Sequence, residues 1–414
     1  MAKNSSNAAI IVGGGQAGAQ CAISLRQYGW PGEVLIIAAE DMLPYQRPPL
    51  SKAYLAGEMT ADRLLLREQS FYDAQNIWVR LAESVTLIDR RDNVAVTSEG
   101  EVVPFAKLFI ATGTRPRKLT VPGIHLDGVG YIRAIDDVRR LQPAFQAASN
   151  LVVIGGGYIG LEVAAVARKR GIRVTVVEAG ERLLGRVTGE VVSSFYEDMH
   201  RAKGVDIRLR ETVAAFEGTR RVSAVRLSGG EILPCDLAVI GVGVIANDEL
   251  AMYSGIEVEP GEGILVDASM QTSDPCIYAI GDCAFAWNDF AGRRQCVESV
   301  ANAIEQGRIA SAHACGASLP ARAVPWFWSD QYDVKLQTAG ILGKGYDRTV
   351  VRGDPAAAKF AVFYLQGRTL VALDAINAAA EFNIAKRIIG QQDLALEAGW
   401  IADPDYDLRQ LISA

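Results

Sequence analysis

Two copies of a strand, glycine loop and helix pattern constrain this chain more than any other feature. The first copy, AIIVGGGQAG at residues 9–18, places Gly13, Gly15 and Gly18 directly after a short apolar run, and a segment with helical apolar spacing follows. In such a loop the first glycine makes a tight turn, the second lets the backbone approach a pyrophosphate, and the third lets the helix pack on the strand. The helix N-terminus adds a dipole that favours anions. The motif in this context predicts a dinucleotide site.

The second copy, LVVIGGGYIG at residues 151–160, repeats the pattern with Gly155, Gly157 and Gly160. The duplication extends beyond the loops, because residues 98–113 align without gaps on residues 228–243. Within this block Gly113 matches Gly243 and every other matched pair is also 130 residues apart, whereas the glycine loops are 142 residues apart. The glycine loop and the later block occur in the same order in both halves of the sequence. This predicts two nucleotide-binding domains that arose by duplication of one.

The end of the second strand in each copy indicates which ribose is bound. In RVTVVE the strand ends at Glu178, about 20 residues past the glycines, where a carboxylate accepts from a ribose 2′-OH and repels a 2′-phosphate. This favours NADH over NADPH, although Arg182 and Arg186 lie a few residues on and could weaken the preference. In the first copy Ala38 takes the equivalent place, and Glu40 is the candidate for the other ribose, with a solvated loop acid as the alternative.

Composition excludes several other functions. The net charge of −6 comes with no basic block, which argues against nucleic acid. No apolar stretch reaches the roughly 18 uncharged residues of a membrane span. The six cysteines lack metal spacing and the three histidines are far apart in sequence, so we expect no metal site. We expect free thiols and a cytoplasmic protein.

Four motifs in order resemble one family. Two GxGxxG loops, IATGTRP at residues 110–116 and YAIGD at residues 278–282 are similar to the FAD- and NAD(P)-dependent pyridine nucleotide oxidoreductases. The segments YQRPPLSKAYL (45–55), VESVANAIEQGRIA (297–310) and PWFWSDQY (325–332) resemble the ferredoxin reductase branch, which serves cytochrome P450 and aromatic-ring dioxygenase systems. The resemblance covers essentially the whole chain.

The resemblance implies which residues contact each cofactor. For FAD the expected contacts are Gly13, Gly15, Gly18, Glu40, Arg47, Lys52, Ala111, Thr112, Gly113, Arg115, Asp282, Glu298, Val300 and Trp328. For NADH they are Gly155, Gly157, Tyr158, Ile159, Gly160, Glu162, Glu178, Gly241, Val242 and Gly243. Asp282 corresponds to the family aspartate that binds the ribityl chain, and Trp328 to a tryptophan over the flavin edge. Trp326, two positions earlier on the same face, is expected to pack in the core.

The resemblance also implies a catalytic pair. Lys52 follows the rigid Pro48-Pro49 segment and corresponds to a lysine near flavin N5, while Glu162 corresponds to a glutamate that pairs with it and contacts the nicotinamide. Without the family, Lys52 would be a surface lysine and Glu162 a helix N-terminal acid stabilised by the macrodipole. Disulfide reductases of the superfamily carry a redox cysteine pair near this place, but no cysteine lies between Cys21 and Cys235. Electrons must therefore leave the flavin by another route.

The expected fold is α/β, with two Rossmann-like domains of the glutathione reductase type and a small α+β C-terminal domain. Residues 1–116 with 245–324 form a discontinuous FAD-binding domain, 117–244 an NAD-binding domain, and 325–414 an interface domain.

The expected function is NADH-dependent ferredoxin reduction. NADH gives a hydride to FAD, and single electrons pass to a [2Fe–2S] ferredoxin that feeds a cytochrome P450 or Rieske-type oxygenase. The alternatives are a rubredoxin or monodehydroascorbate reductase-type activity, or a flavoprotein that senses NADH as apoptosis-inducing factor does. The oligomeric state stays open.

Overall fold

The structure is a computed structural model that describes residues 7–391 and 394–412. The chain forms two compact units. The first holds the residues up to Gln46, Asp62–Arg115 and Ile245–Pro325, and the second holds Arg47–Ala61, Pro116–Val244 and the residues from Trp326 onward. The short segment Arg47–Ala61 thus packs with the second unit, although its neighbours on both sides belong to the first. The assignment of the three domains to nucleotides and partner stays a prediction.

A five-stranded parallel sheet forms the centre of the first unit. Its strands, from one edge to the other, are Ile277–Ala279, Lys107–Ile110, Ala9–Val12, Val34–Ile37 and Ile77–Arg80. The central strand AIIV is buried along its whole length, as expected where both faces of a parallel sheet are covered. Helices Gln16–Gln27 and Val300–Ala314 pack together in this unit, with Gly307 against the backbone of Ala17 and Cys21.

Smaller elements complete the first unit. They are a three-stranded antiparallel sheet (Val85–Asp89, Val94–Thr97, Val102–Pro104), a four-stranded sheet (Val258–Glu259, Gly263–Leu265, Ala284–Asn288, Arg293–Gln295), helices Gln69–Ala74 and Glu249–Tyr253, and 3₁₀ turns Asp62–Leu64 and Gly281–Cys283. Strands Thr114–Pro116 and Val244–Ala246 form a two-stranded sheet of their own.

The second unit contains a parallel sheet of the same construction. Its strands, from edge to edge, are Val205–Leu209, Arg173–Glu178, Asn150–Ile154, Leu237–Ile240 and Val129–Tyr131. Its helices are Ile135–Ala147, Tyr158–Lys169 and Glu190–Ala202, and its antiparallel sheet is Val213–Gly218, Val222–Leu227 and Ile232–Pro234. A 3₁₀ turn, Pro48–Ser51, precedes Lys52.

An antiparallel sheet and helices form the C-terminal part of the second unit. The strand order is Trp326–Gln331, Val334–Gly340, Thr369–Ile376, Lys359–Gln366 and Arg348–Asp354. Helices Ala379–Gly390 and Ala398–Ala402 follow, with 3₁₀ turns Leu342–Lys344 and Leu408–Ile412. The predicted fold class, two Rossmann-like sheets and a small α+β region, is confirmed.

The strand bounds reproduce the internal duplication. Val102–Pro104 and Lys107–Ile110 in the first unit lie 130 residues before Ile232–Pro234 and Leu237–Ile240 in the second. The last strand of each β-meander and the strand after it therefore match residue for residue, while the first two strands of the meanders differ in length. In the described part of the chain, none of the helices is long and apolar enough to cross a bilayer.

Candidate functional site

The first glycine loop is packed tightly at two of its glycines and open at the third. A Cβ on Gly13 would lie 2.2 Å from the Ala111 carbonyl oxygen, and one on Gly18 would lie 2.0 Å from the Gly13 carbonyl oxygen. A Cβ on Gly15 would meet no protein atom within 4 Å. Gly15 is also the N-cap of helix Gln16–Gln27, so the open space lies at a helix N-terminus.

The second glycine loop repeats this geometry inside the second unit. A Cβ on Gly155 would lie 2.3 Å from the Gly241 carbonyl oxygen, and one on Gly160 would lie 2.2 Å from the Gly155 carbonyl oxygen. Gly157 caps helix Tyr158–Lys169 and again has nothing within 4 Å of its missing Cβ. Both loops therefore leave open space at a helix N-terminus, which fits the pyrophosphate of a dinucleotide.

The Glu178 carboxylate lies directly beside the second loop. Its Oε2 accepts from the Gly156 amide at 2.6 Å and its Oε1 from the Gly180 amide at 2.6 Å. A carboxylate has about four acceptor positions, so two remain for ribose hydroxyls. Arg182 donates to the carbonyls of Thr188 and Gly185, and these bonds hold its guanidinium on its own loop.

The first loop has an apolar side chain at the matching place. A Cβ on Gly14 would lie 2.7 Å from the Ala38 Cβ. Glu40 stands two residues further on, and its Oε2 accepts from the Tyr45 hydroxyl at 2.5 Å. The buried Tyr45 ring thus fixes the carboxylate that the sequence nominates for the FAD ribose.

Three residues expected to contact FAD in the first unit, Thr112, Gly113 and Arg115, cluster around Asn247. Its amide nitrogen donates to the Thr112 carbonyl at 2.9 Å, its backbone amide donates to the Gly113 carbonyl at 2.9 Å, and its Oδ1 accepts from Arg115 at 2.8 Å. Arg115 also pairs with Glu249, so part of its charge is already balanced within the protein. The sequence does not nominate Asn247, since an isolated Asn after a strand carries no recognisable motif.

The remaining nominated residues lie on loops and helix ends. Asp282 is half-buried within the 3₁₀ turn Gly281–Cys283, whose first amide donates to Gln306 Oε1 at 2.7 Å. Glu298 is exposed and Val300 is half-buried at the start of a helix. In the second unit, Arg47 donates to the Arg133 carbonyl at 2.8 Å, Ile159 is 39% exposed, and Val242 and Gly243 follow Gly241 at the end of a strand.

Lys52 and Glu162 form an ion pair inside the second unit. The Lys52 Nζ lies 2.6 Å from Glu162 Oε2, and only 2% of the Glu162 side chain and 20% of the Lys52 side chain are exposed. The 3₁₀ turn that contains both prolines directs Lys52 inward, and its ammonium also donates to the Pro48 carbonyl at 3.1 Å. The prediction that these two residues pair is confirmed by this contact; their roles toward cofactor stay a prediction.

Two serines that the sequence does not nominate complete the contacts of Glu162. The Ser51 hydroxyl donates to Oε2 at 2.5 Å and the Ser329 hydroxyl donates to Oε1 at 2.7 Å. Both lie within segments that carry the family resemblance, RPPLSK and PWFWSDQ, but nothing in a single sequence tells a site serine from its neighbours. The carboxylate therefore has three donors in a nearly dry environment, and these offset the cost of burying its charge.

Alternation along strand Trp326–Gln331 separates the aromatic residues by face. The Phe327 ring stacks on Tyr158 with centroids 4.6 Å apart, which places this face against helix Tyr158–Lys169. Trp326 and Trp328 lie on the other face with centroids 5.4 Å apart. The Lys386 Nζ sits 5.0 Å from the Trp326 ring, so Trp326 packs on helix Ala379–Gly390, where it is half-buried and not part of the core.

The buried thiols of Cys21 and Cys235 are unsuited to redox chemistry. All six are free thiols, and burial raises the pKa of both Cys21 and Cys235 to about 12. A thiol with so high a pKa is hardly ionised near neutrality and is a poor nucleophile.

Comparison with known proteins gives two family models that match successive parts of the chain. The model of the pyridine nucleotide-disulphide oxidoreductases matches residues 7–307, and the model named reductase C-terminal matches residues 326–412. Putidaredoxin reductase of Pseudomonas putida is 42% identical, with 99% of this chain and 98% of that protein covered. A ferredoxin–NAD(P)⁺ reductase of a Sphingomonas species is also 42% identical, with 98% and 97% covered.

A solved structure extends the likeness to three dimensions. The crystal structure of a covalent putidaredoxin reductase–putidaredoxin complex superimposes with a TM-score of 0.95, with 99% of each chain covered and 42% identity. The resemblance inferred from the motifs is confirmed.

Proposed function

The chain belongs to the pyridine nucleotide-disulphide oxidoreductase family, which implies a flavin and a pyridine nucleotide, and on this basis we propose that it is an NADH-dependent ferredoxin reductase. The observation that carries the proposal is the pair of glycine loops with open Gly15 and Gly157 positions. One chain with two such loops is built to hold two dinucleotides at once. The two relatives described above, reductases of 42% identity, support the same activity.

The nucleotide assignment rests on the residues at the strand ends. The first loop would hold FAD and the second NADH, because Glu178 offers acceptors to a ribose diol and its negative charge opposes a 2′-phosphate. The residues expected from the sequence to contact FAD and NADH keep those roles in this proposal.

The electrons leave to a separate protein. A bound FAD would supply the conversion from hydride chemistry to single-electron transfer. The segment that carries redox cysteines in disulfide reductases here presents Ser51 and Lys52 to Glu162, so the chain offers no thiol at that place. Lys52 would stabilise the negative charge of added electrons, and Glu162 would orient the nicotinamide, with positioning supplying most of the catalysis.

The proposed acceptor is a [2Fe–2S] ferredoxin that serves a cytochrome P450 or Rieske-type oxygenase. The structural relative described above is a reductase in covalent complex with putidaredoxin, which supports an acceptor of this kind. We place the reaction in the cytoplasm, and the six free cysteines are consistent with a reducing compartment.

An acceptor panel tests this function. The purified flavoprotein is mixed with NADH in anaerobic stopped flow, and turnover is then measured with [2Fe–2S] ferredoxins from the same organism, a rubredoxin and monodehydroascorbate. Rapid bleaching of the flavin and fastest turnover with a ferredoxin are expected. Preference for rubredoxin or monodehydroascorbate would replace the proposed acceptor. A long-lived charge-transfer complex without turnover on any acceptor would overturn the proposal of a reductase and favour an NADH-sensing flavoprotein.

A further inference from the structure

A chain of buried polar side chains runs from Glu162 into the interior of the second unit. Ser329 Oγ lies 2.7 Å from Glu162 Oε1, Gln331 Nε2 lies 3.2 Å from Ser329 Oγ, and Gln331 Oε1 lies 2.8 Å from His200 Nε2. Ser329, Gln331 and His200 are each at most 1% exposed. Polar groups so deeply buried cost free energy of folding unless each is hydrogen-bonded. These hydrogen bonds are therefore a specific part of the fold.

The strand pattern explains how the chain is assembled. Phe327, Ser329 and Gln331 alternate onto one face of strand Trp326–Gln331, and the Phe327–Tyr158 stacking shows that this face meets helix Tyr158–Lys169. Glu162 lies one turn further along that helix, opposite Ser329. His200 comes from the last turn of helix Glu190–Ala202 and closes the chain.

The direction of every hydrogen bond follows from the ion pair. Glu162 bonds to an ammonium, so its carboxylate only accepts, and the Ser329 hydroxyl must donate to it. The serine oxygen then accepts from the amide nitrogen of Gln331, which turns the amide oxygen toward His200. The His200 Nε2 must therefore carry the proton.

The surroundings of His200 agree with the tautomer that carries its proton on Nε2. Burial lowers the pKa of His200, which keeps its imidazole neutral at about pH 7. Its Nδ1 is then an acceptor, and the Tyr332 hydroxyl lies 3.4 Å from it. All donors thus point toward the carboxylate.

The row of hydrogen-bonded side chains contacts only one oxygen of Glu162. Ser51 and Lys52 both bond to Oε2, whereas Ser329 bonds to Oε1. The terminal torsion of a glutamate is broad and has little rotational preference of its own. Ser329 therefore fixes the rotation of the carboxyl plane, and Gln331 and His200 fix the hydroxyl of Ser329.

We propose that Ser329, Gln331 and His200 are positioning residues that hold the Glu162 carboxylate in the orientation that binds the nicotinamide end of NADH. The proposal rests on the proposed function, in which Glu162 contacts the nicotinamide. It assigns no contact with the nucleotide to His200 or Gln331. Their effect reaches the ligand only through Ser329 and Glu162.

Binding of NAD⁺ and of ADP-ribose to the oxidised holoenzyme separates positioning from general damage, because ADP-ribose has a hydroxyl group where NAD⁺ has the nicotinamide. Ser329→Ala and Ser329→Cys, which remove the good donor, should each weaken NAD⁺ binding about tenfold and leave ADP-ribose binding within about twofold. Ser329→Thr keeps a hydroxyl and should retain NAD⁺ affinity. Ser311→Ala is the matched control, since it removes another fully buried hydroxyl that bonds elsewhere, to the Gly307 carbonyl.

The coupling of His200 to Ser329 is tested by a double-mutant cycle. His200→Phe should weaken NAD⁺ binding in the wild-type background and have no added effect in the Ser329→Ala background, because the chain is then already cut. Additive effects, equal losses for both ligands, or unchanged NAD⁺ affinity in Ser329→Ala would overturn the proposal. If the wild-type holoenzyme binds neither NAD⁺ nor NADH, the proposed function fails instead.

Discussion

Ala38 and Glu178 occupy the same position in the two units. The Gly13 amide donates at 2.9 Å to the carbonyl of the residue before Ala38, and the Gly155 amide donates at 2.8 Å to the carbonyl of the residue before Glu178. The two loops are therefore held on their neighbouring strands in the same register. The next side chain is a methyl group in the first unit and a carboxylate in the second, and this difference separates the two nucleotide sites chemically.

Glu178→Arg should relax the preference for NADH. The substitution removes the carboxylate that opposes a 2′-phosphate and adds a cation that attracts one, so the ratio of kcat/KM for NADPH to that for NADH should rise by at least about tenfold. Steady-state ferredoxin reduction with each nucleotide measures this ratio.

The matched control for this change is Glu181→Arg. Glu181 lies on the same loop, is exposed and pairs with Arg210 at 3.0 Å, so the variant changes the local charge equally without touching the strand end. Equal changes in the two variants would mean that long-range charge sets the preference, contrary to a specific role for Glu178.

Gly157→Ala and Gly160→Ala should fail in different ways. At Gly157 an added methyl meets no protein atom and the backbone is extended, so folding is expected to be nearly unaffected while the space for the nucleotide shrinks. At Gly160 the methyl would lie 2.2 Å from a backbone oxygen, and the strain should cost about 2–3 kcal/mol of stability. Both the melting temperature and the KM for NADH are measured on each variant. The KM should rise in Gly157→Ala, and the melting temperature should fall in Gly160→Ala. A large fall in melting temperature for Gly157→Ala would show that the space is not open.

The sequence predicts the local features of the structure but not the long-range contacts. The glycine loops, the register of the duplicated meanders and the end of strand Arg173–Glu178 all follow from local patterns. The contacts of Glu162 do not, because Ser51 and Ser329 lie 111 and 167 residues away and neither stands in a motif that marks a serine. Lys52 is identified only through the family resemblance. A buried polar chain is assembled by tertiary packing, and its members carry no periodic signal.

The segment Arg47–Ala61 shows the same limit. Its sequence continues the first domain, yet it packs with the second unit, where Lys52 binds Glu162 and Arg47 donates to the Arg133 carbonyl. Hydrophobic periodicity could not reveal this, because the partners of these residues are distant along the chain.

Lys52→Met should destabilise the protein more than the double variant Lys52→Met/Glu162→Gln. Removing the ammonium leaves a buried carboxylate without its counter-ion, since only 2% of that side chain is exposed, and this should cost about 3 kcal/mol. Neutralising the carboxylate as well lets the amide oxygen accept from Ser51 or Ser329 and should recover part of the loss. Melting temperatures of the two single variants and the double variant give the coupling. If the double variant were less stable than Lys52→Met, the unpaired charge of Glu162 would not be the cause of the instability of Lys52→Met.

Asp374→Asn should change how stability depends on pH. Asp374 is buried in the C-terminal sheet and accepts from the Tyr364 hydroxyl at 2.7 Å, and burial raises its pKa to about 7. An unfolded aspartate releases its proton at about pH 4. Between these values the native state holds a proton that the unfolded state has lost, so the contribution of this carboxyl to the free energy of unfolding falls as the pH rises toward 7 and stays low above it.

An asparagine carries no such proton and lacks this fall. The melting temperature of Asp374→Asn relative to wild type should therefore rise between about pH 5 and pH 7 and then level off. Asp354→Asn is the control, because Asp354 is an exposed aspartate of the same sheet that accepts from the Ala356 amide, a bond that asparagine can keep. A parallel pH dependence for Asp374→Asn and wild type would mean that Asp374 does not hold a proton in the folded protein.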